Sequence, residues 1–269
     1  MSLNIILVTG ASSGMGRETA RQLDKIYTDK IDEIWLIARR RNRLEELANE
    51  LSHPCHILEM DLADRSSYEK LDAELKLLDC KIKFLVNAAG FGVAGKFTEN
   101  DLSRQLDMIN VNCVALTAVT GIALKYMPDN SRILQYASSA AFVPQPGFSI
   151  YAATKSFVLS FSESLNAELK PRNISVTAVC PGPVDTEFFD IAGNTFDTFE
   201  WKKSFMANET DVVNEAIVDA YNRRPLSIHK LSMKAFRMLT QSVPEEAVVF
   251  ALRKIMEATD SNNQDEQSF

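Results

Sequence analysis

The chain has 269 residues, 46% of them hydrophobic and 24% charged, enough for one large α/β domain or two small ones with a sizeable core. A net charge of −7 argues against a general nucleic-acid binder, which would carry a basic stripe. Cys55, Cys80, Cys113 and Cys180 show no C-x-x-C and no histidine partner at metal spacing, no leader-like segment opens the chain, and no run of ~18 apolar residues occurs, so a soluble, cytoplasmic protein with reduced thiols, no metal and no membrane partner is expected.

Residues 3–8 read as a buried strand that runs into Thr9-Gly10-Ala11-Ser12-Ser13-Gly14-Met15-Gly16, followed by helical character over 17–23. Strand, glycine turn and helix make an anion site. The glycines let a phosphate approach bare backbone, and the helix N-terminus supplies free N–H groups and the positive end of a dipole. The spacing is G-x-x-x-G-x-G rather than the commoner G-x-G-x-x-G, and a dinucleotide pyrophosphate is the anion expected. A second strand, 33–38, ends in Arg39-Arg40-Arg41-Asn42-Arg43 before a helix over 44–51. An NAD enzyme usually has a carboxylate at this point for the ribose hydroxyls, whereas an arginine accommodates the 2′-phosphate of NADP. Ala38 and Arg39 therefore point to NADP(H), with Ser12 or Ser13 as an added hydroxyl and Arg40 and Arg43 as reserve cations of unknown direction.

Further strands at 56–60 and 83–86 alternate with a helix over 66–78, which predicts right-handed crossovers and a parallel sheet covered on both faces. A long helix is predicted from the loose capping pattern Thr98-Glu99-Asn100-Asp101 as far as Tyr126; Asn112, in its middle, is either exposed or buried with partners. Strand 133–137 leads to Ser138, a breaker-rich loop over 142–147, a helix over 151–169, a strand over 175–180 and the sharp turn Pro181-Gly182-Pro183. Residues 187–205 are aromatic and poorly periodic, and read as a lid. Phe91, Phe142 and Phe148 are candidate opposite walls for an apolar substrate. Helices at 210–221, 231–239 and 244–259 and a polar tail over 260–269 complete a single domain, 1–259, in which 187–240 is the variable substrate region.

Tyr151 and Lys155 carry the chemistry. Residues four apart share one helix face, and an ammonium beside a phenol is expected to lower its pKa toward the useful range. A carbonyl oxygen between Ser138 and Tyr151 would be polarised by one hydroxyl and protonated by the other. Ser139 competes with Ser138 for this place, but successive strand residues face opposite ways.

These stretches together resemble the short-chain dehydrogenases/reductases over residues 3 to about 190. The resemblance rests on the glycine turn, on Asp61, on Asn87-Ala88-Ala89-Gly90 in place of Asn-Asn-Ala-Gly, on Pro181-Gly182 with Thr186, and on Asn112, Ser138, Tyr151 and Lys155 at the spacing of the family's catalytic tetrad. It implies a Rossmann-type, doubly wound parallel sheet flanked by helices and a carbonyl/alcohol oxidoreductase. Cofactor contacts are implied at Gly10, Ser12, Ser13, Gly14, Met15, Gly16, Arg39, Asp61, Leu62, Asn87, Ala88, Gly90, Tyr151, Lys155, Pro181, Gly182, Val184 and Thr186. In that scheme Asp61 contacts adenine and Asn112 holds a water that relays protons with Lys155. A homodimer or homotetramer pairing the helices of Asn112 and Tyr151 is implied as well. Ala88 lacks the side chain thought to tie neighbouring strands, and family spacing favours Ser138 over Ser139. The competing readings are a dinucleotide-binding regulator without chemistry, which would not need both Tyr151 and Lys155, and an enoyl reductase, which would space them more widely.

Overall fold

A computed structural model describes residues 2–27, 30–184, 187, 206–244 and 246–254. Seven parallel strands form one sheet in the order β3-β2-β1-β4-β5-β6-β7. They are β1 (Leu3–Thr9), β2 (Glu33–Ala38), β3 (Cys55–Glu59), β4 (Cys80–Asn87), β5 (Arg132–Tyr136), β6 (Ser175–Val179) and β7 (Leu226–Ser227). The strands are near-continuous apolar runs because both faces are covered. Ile5 and Leu7 of β1 join Trp35 and Ile37 of β2 in one layer of the core, while Ile6 and Val8 join Ile34 and Leu36 in the other.

Helices α1 (Gly14–Ile26), α2 (Arg41–Glu50) and α7 (Glu209–Tyr221) cover the second face, where Leu23, Leu44 and Ile217 are buried. Helices α3 (Ser66–Leu77), α5 (Leu116–Tyr126) and α6 (Ser149–Glu168) cover the first through Leu71, Val119 and Leu165. Helix α4 (Leu102–Ile109) precedes α5, and α8 (Leu231–Ser242) follows β7. Asp101 caps α4 by accepting from the Ser103 N–H, at 2.9 Å.

Three features differ from the sequence reading. The helix expected to run unbroken to Tyr126 changes to a π-turn over Asn110–Ala115, a local widening that tends to occur at functional sites. Strand β7, only two residues long, has too little sequence to show alternation, yet Leu226 and Ser227 pair with Ala178 and Val179. At Ala88 the tie between β1 and β4 runs through backbone rather than side chain: the Thr9 hydroxyl accepts from the Ala88 and Ala89 N–H groups at 3.2 and 3.3 Å. The stretch Leu102–Leu124 is long and apolar enough to cross a membrane by length and composition alone; here Met108, Ala115, Val119 and Ala123 pack it into the fold.

Strand order reverses between β1 and β4, and a crevice opens beyond the strand ends at that point. The chain leaves β6 through Pro181-Gly182-Pro183-Val184, and Val184 pairs as an isolated bridge with Ala207, which fixes the two ends of the connection to α7.

Candidate active site

A cavity of about 650 Å³ runs along the crevice. At one end lies the glycine turn between β1 and α1. A Cβ on Gly10, whose φ is +68°, would lie 2.7 Å from the Ala88 carbonyl carbon and the Ala89 nitrogen, and one on Gly16 would collide with the Gly10 carbonyl. Only bare backbone fits between the two strands and the helix. Ser13 caps α1 without a side-chain hydrogen bond, and no acid sits in the first turn, so the helix N-terminus presents donors to the crevice.

Beside this turn the arginine run resolves into different roles. Arg39 is exposed and lines the cavity. Arg40, immediately before α2, turns its guanidinium back onto the glycine turn, where Nη2 donates to Ser13 Oγ at 2.7 Å and to Ser12 Oγ at 3.2 Å. Arg41 pairs with Glu45 one helical turn on and is a solvated helix start. Arg40 and Arg43 both pair with Glu187, and the Arg43 guanidinium, then Arg40, holds that carboxyl below its usual range. Asp61, exposed after β3, lines the cavity with Leu62.

At the other end β5 and α6 bring Ser138, Tyr151 and Lys155 together. Ser138 is extended at φ −172°, and its hydroxyl accepts from the Ala140 N–H at 3.1 Å, which starts a 3-10 turn over Ser139–Phe142. Ser139 also lines the cavity, but its N–H is bound to the Pro181 carbonyl, at 2.8 Å. Tyr151, 7% exposed, stacks on Phe148 with ring centroids 4.3 Å apart. Burial pushes its phenol up to about 12, while a hydrogen bond with the Ser138 hydroxyl pulls the other way. The expected lowering by Lys155 is not what this geometry gives. The Lys155 ammonium donates to the Tyr136 carbonyl at 2.7 Å and lies 5.6 Å from the Tyr151 ring centre, so desolvation of the phenol dominates. The same burial lowers Lys155 from 10.5 to about 8.

Asn112 is buried, not exposed, and its amide is held at three points. Nδ2 donates to the Phe91 carbonyl at 2.9 Å and to Thr154 Oγ1 at 3.1 Å, and Oδ1 accepts from the Phe91 N–H at 3.1 Å. The Thr154 hydroxyl donates to the Tyr151 carbonyl at 2.8 Å and so can only accept from Asn112, which settles which amide atom faces which way. Gly90 passes over this amide; a Cβ there would lie 2.9 Å from Asn112 Oδ1.

The family model for short chain dehydrogenase matches residues 4–195. The chain belongs to that family. It is 35% identical to a sulfoacetaldehyde reductase of Chromohalobacter salexigens over 191 residues, 69% of this chain and 74% of that protein. To the NADP-dependent 3-hydroxy acid dehydrogenase of Escherichia coli it is 31% identical over 194 residues, covering 70% and 75%. Among solved structures, the short-chain dehydrogenase from Sphingobium yanoikuyae in complex with NADPH matches with a TM-score of 0.73 at 27% identity, over 90% of this chain and 96% of that one. This short-chain dehydrogenase is an oxidoreductase with a doubly wound parallel sheet.

Most of the residues singled out in the sequence of this dehydrogenase meet along the cavity: the glycine turn with Met15, then Ala88 and Gly90, then Pro181, Gly182 and Val184. Asn87 does not line it. Its Nδ2 donates to Thr120 Oγ1 at 2.9 Å, inside the layer between β4 and α5. Phe91 and Phe148 are cavity walls, whereas Phe142 turns toward α8 and packs against Phe236 at 6.4 Å. Thr186 and the aromatic residues of the expected lid, 188–205, lie outside the described residues. Sequence reasoning gave no role to Thr154, Glu187 or the Tyr136 carbonyl. Thr154 stood inside the Tyr151–Lys155 segment, and its spacing from the tetrad was the available signal.

Proposed function

We propose that this dehydrogenase interconverts a carbonyl compound and an alcohol with NADP(H), using Tyr151 as the acid that protonates the carbonyl oxygen. The observation that carries the reading is the hydrogen-bonded Ser138 and Tyr151 hydroxyls, with the Lys155 ammonium beside them, in the same cavity as the glycine turn. The cofactor, when bound, supplies the hydride. Residues of the chain do the rest. The bare backbone at Gly10 and Gly16 and the N-terminus of α1 fit a pyrophosphate, and Arg39 or Arg40 with Ser12 and Ser13 fits a 2′-phosphate. Ser138 orients the substrate oxygen toward Tyr151. Lys155 resupplies the proton, and Asn112 Oδ1 keeps a lone pair for a relay water. A regulator without chemistry has no use for a buried lysine whose pKa is lowered to about 8, since burial of that charge costs stability.

The substrate end is walled by apolar groups, including Phe91, Val111, Phe148 and Phe236, so the substrate has an apolar body. Arg104, from α4, is the one charged lining residue there besides Lys155 among the described residues, and a substituent acid would meet it. That feature agrees with the acidic substrates in the names of two relatives, the sulfoacetaldehyde reductase and the 3-hydroxy acid dehydrogenase. Exposed Leu102 and Leu106 on α4 and Phe157 on α6 are the groups that pairing of copies through these helices would cover. Four free thiols suit a reducing compartment and a cytoplasmic location.

The test is NADPH oxidation with a panel of neutral and acid-bearing ketones and aldehydes, on wild type and Tyr151→Phe. Turnover with at least one member is expected. Tyr151→Phe should keep NADPH affinity and lose about 10²–10⁴-fold in kcat, the usual contribution of a positioned acid. A near-normal kcat in that variant removes Tyr151 from the mechanism.

A further inference from the structure

We propose that Glu187 is a built-in competitor for the 2′-phosphate of the cofactor, so that this carboxylate weakens NADP(H) binding without weakening NAD(H) binding. The proposal rests on the reading of the Arg40 corner as the phosphate site. Arg40 holds three partners at once: Ser12 Oγ, Ser13 Oγ and, through Nη1 at 3.2 Å, Glu187 Oε2. Arg43 takes the other carboxylate oxygen, Oε1. One carboxylate thus spans the two guanidiniums next to the glycine turn.

The neighbouring cations are differently employed. Arg17 and Arg21 pair with Glu50 at 2.7 and 2.6 Å, and Arg41 with Glu45 at 2.8 Å, all acids of α2. For Arg40 and Arg43 the acid comes from the far side of the crevice, from the segment that follows β6. The same glutamate lines both the large cavity and an adjoining pocket of about 330 Å³ bounded by Ser12, Ser13, Arg17, Arg21 and Arg43, with Glu209 as a second acid. Glu187 is the acid that occupies Arg40 and Arg43, beside the Ser12 and Ser13 hydroxyls, where an anion entering from the large cavity would sit.

A phosphate monoester offers more charge and more acceptor oxygens to the same donors than a carboxylate does, and two anions in one pocket repel. Entry of the 2′-phosphate therefore requires Glu187 to give up its two pairs. The Glu187 side chain is 41% exposed, which keeps that exchange inexpensive. NAD ends in a hydroxyl at this position and needs neither guanidinium, so the carboxylate keeps its place. The cofactor preference is then the difference between two anions competing for Arg40 and Arg43.

Dissociation constants for NADPH and NADH, measured by fluorescence titration of wild type, Glu187→Gln, Arg40→Ala and the double variant, test this directly. Glu187→Gln is expected to tighten NADPH by about three- to tenfold, on the scale of two exposed ion pairs, and to leave NADH within about twofold. In the Arg40→Ala background the same substitution should have a much smaller effect. Melting curves without ligand confirm that each variant is folded. If Glu187→Gln leaves NADPH affinity unchanged, weakens it, or tightens both cofactors equally, the competition does not exist. If Arg40→Ala leaves the ratio of NADPH to NADH affinity as in wild type, the phosphate site itself is misplaced and the proposal goes with it. An intact Arg40 effect with no Glu187 effect overturns the competition alone.

Discussion

Replacing Lys155 with Met is expected to stabilise the unliganded protein while abolishing turnover. Lys155 is 7% exposed, and burial lowers its pKa from 10.5 to about 8. At about 1.36 kcal/mol per tenfold in proton affinity, that gap places a penalty of roughly 3 kcal/mol on holding the charged amine in the fold at neutral pH. Met fills a similar length without charge, but it leaves the Tyr136 carbonyl without the donor now at 2.7 Å, a loss of about 1–3 kcal/mol. A net gain of up to about 2 kcal/mol remains, at most about 4–8 °C in Tm for a chain of this size. The pH dependence supplies the sharper check. Below pH 8 both folded and unfolded chains carry the proton, so the penalty is complete. Between 8 and 10.5 the folded state releases its proton while the unfolded chain keeps it, and the penalty shrinks; above 10.5 it is gone. Thermal melts of wild type and variant at pH 7, 9 and 10.5 should therefore converge as pH rises. A variant less stable than wild type at pH 7, or a difference that does not change with pH, refutes the reasoning.

Two further outcomes follow from the hydroxyls of the site. Ser138→Ala is expected to impair turnover severely and Ser139→Ala much less, because it is the Ser138 hydroxyl that reaches Tyr151; steady-state kinetics in the reverse order would mean the serine is wrongly assigned. Thr154→Val, close in shape, leaves the Asn112 Nδ2 short of a buried acceptor and should cost about 1–3 kcal/mol in urea denaturation, with kcat falling more than KM rises. Thr154→Ser should restore both, and equal loss in Ser and Val would show that packing rather than the hydroxyl matters.

Much of this site was legible because its parts are short-range. The glycine turn lies within seven residues, Tyr151 and Lys155 are one helical turn apart, and β1 to β6 are apolar runs bounded by turn residues. What was not legible depends on direction or on distant partners. The run of Arg39 to Arg43 announces a cation but not which one turns inward; that follows from α2 beginning at Arg41, which leaves Arg40 at the bend facing Ser12 and Ser13. The residue type at 88 does not announce the backbone tie made there, whose acceptor, the Thr9 hydroxyl, is 79 residues away. Tyr151 was expected to be acidified by Lys155 since proximity can be read from spacing, whereas desolvation belongs to the completed fold and outweighs it here.

That reversal bears on the direction in which the site is poised. With the phenol pushed up to about 12 and the amine lowered to about 8, both groups hold their protons at pH 7. If Tyr151 acts as proposed, the acid needed to protonate a carbonyl oxygen is in place without any prior ionisation, and Lys155 still carries the proton that replaces the one given up. Alcohol oxidation asks the same phenol to accept a proton, so it must first lose its own, and loss of the neighbouring ammonium's proton near pH 8 is the first step that makes room on the relay. The equilibrium of the proposed reaction is untouched by this arrangement, but its two rates are then expected to respond to pH in opposite senses. On that proposal kcat for reduction is expected to hold level to about pH 8 and then fall, and kcat for oxidation to rise through the same range; profiles that run parallel in the two directions would refute it.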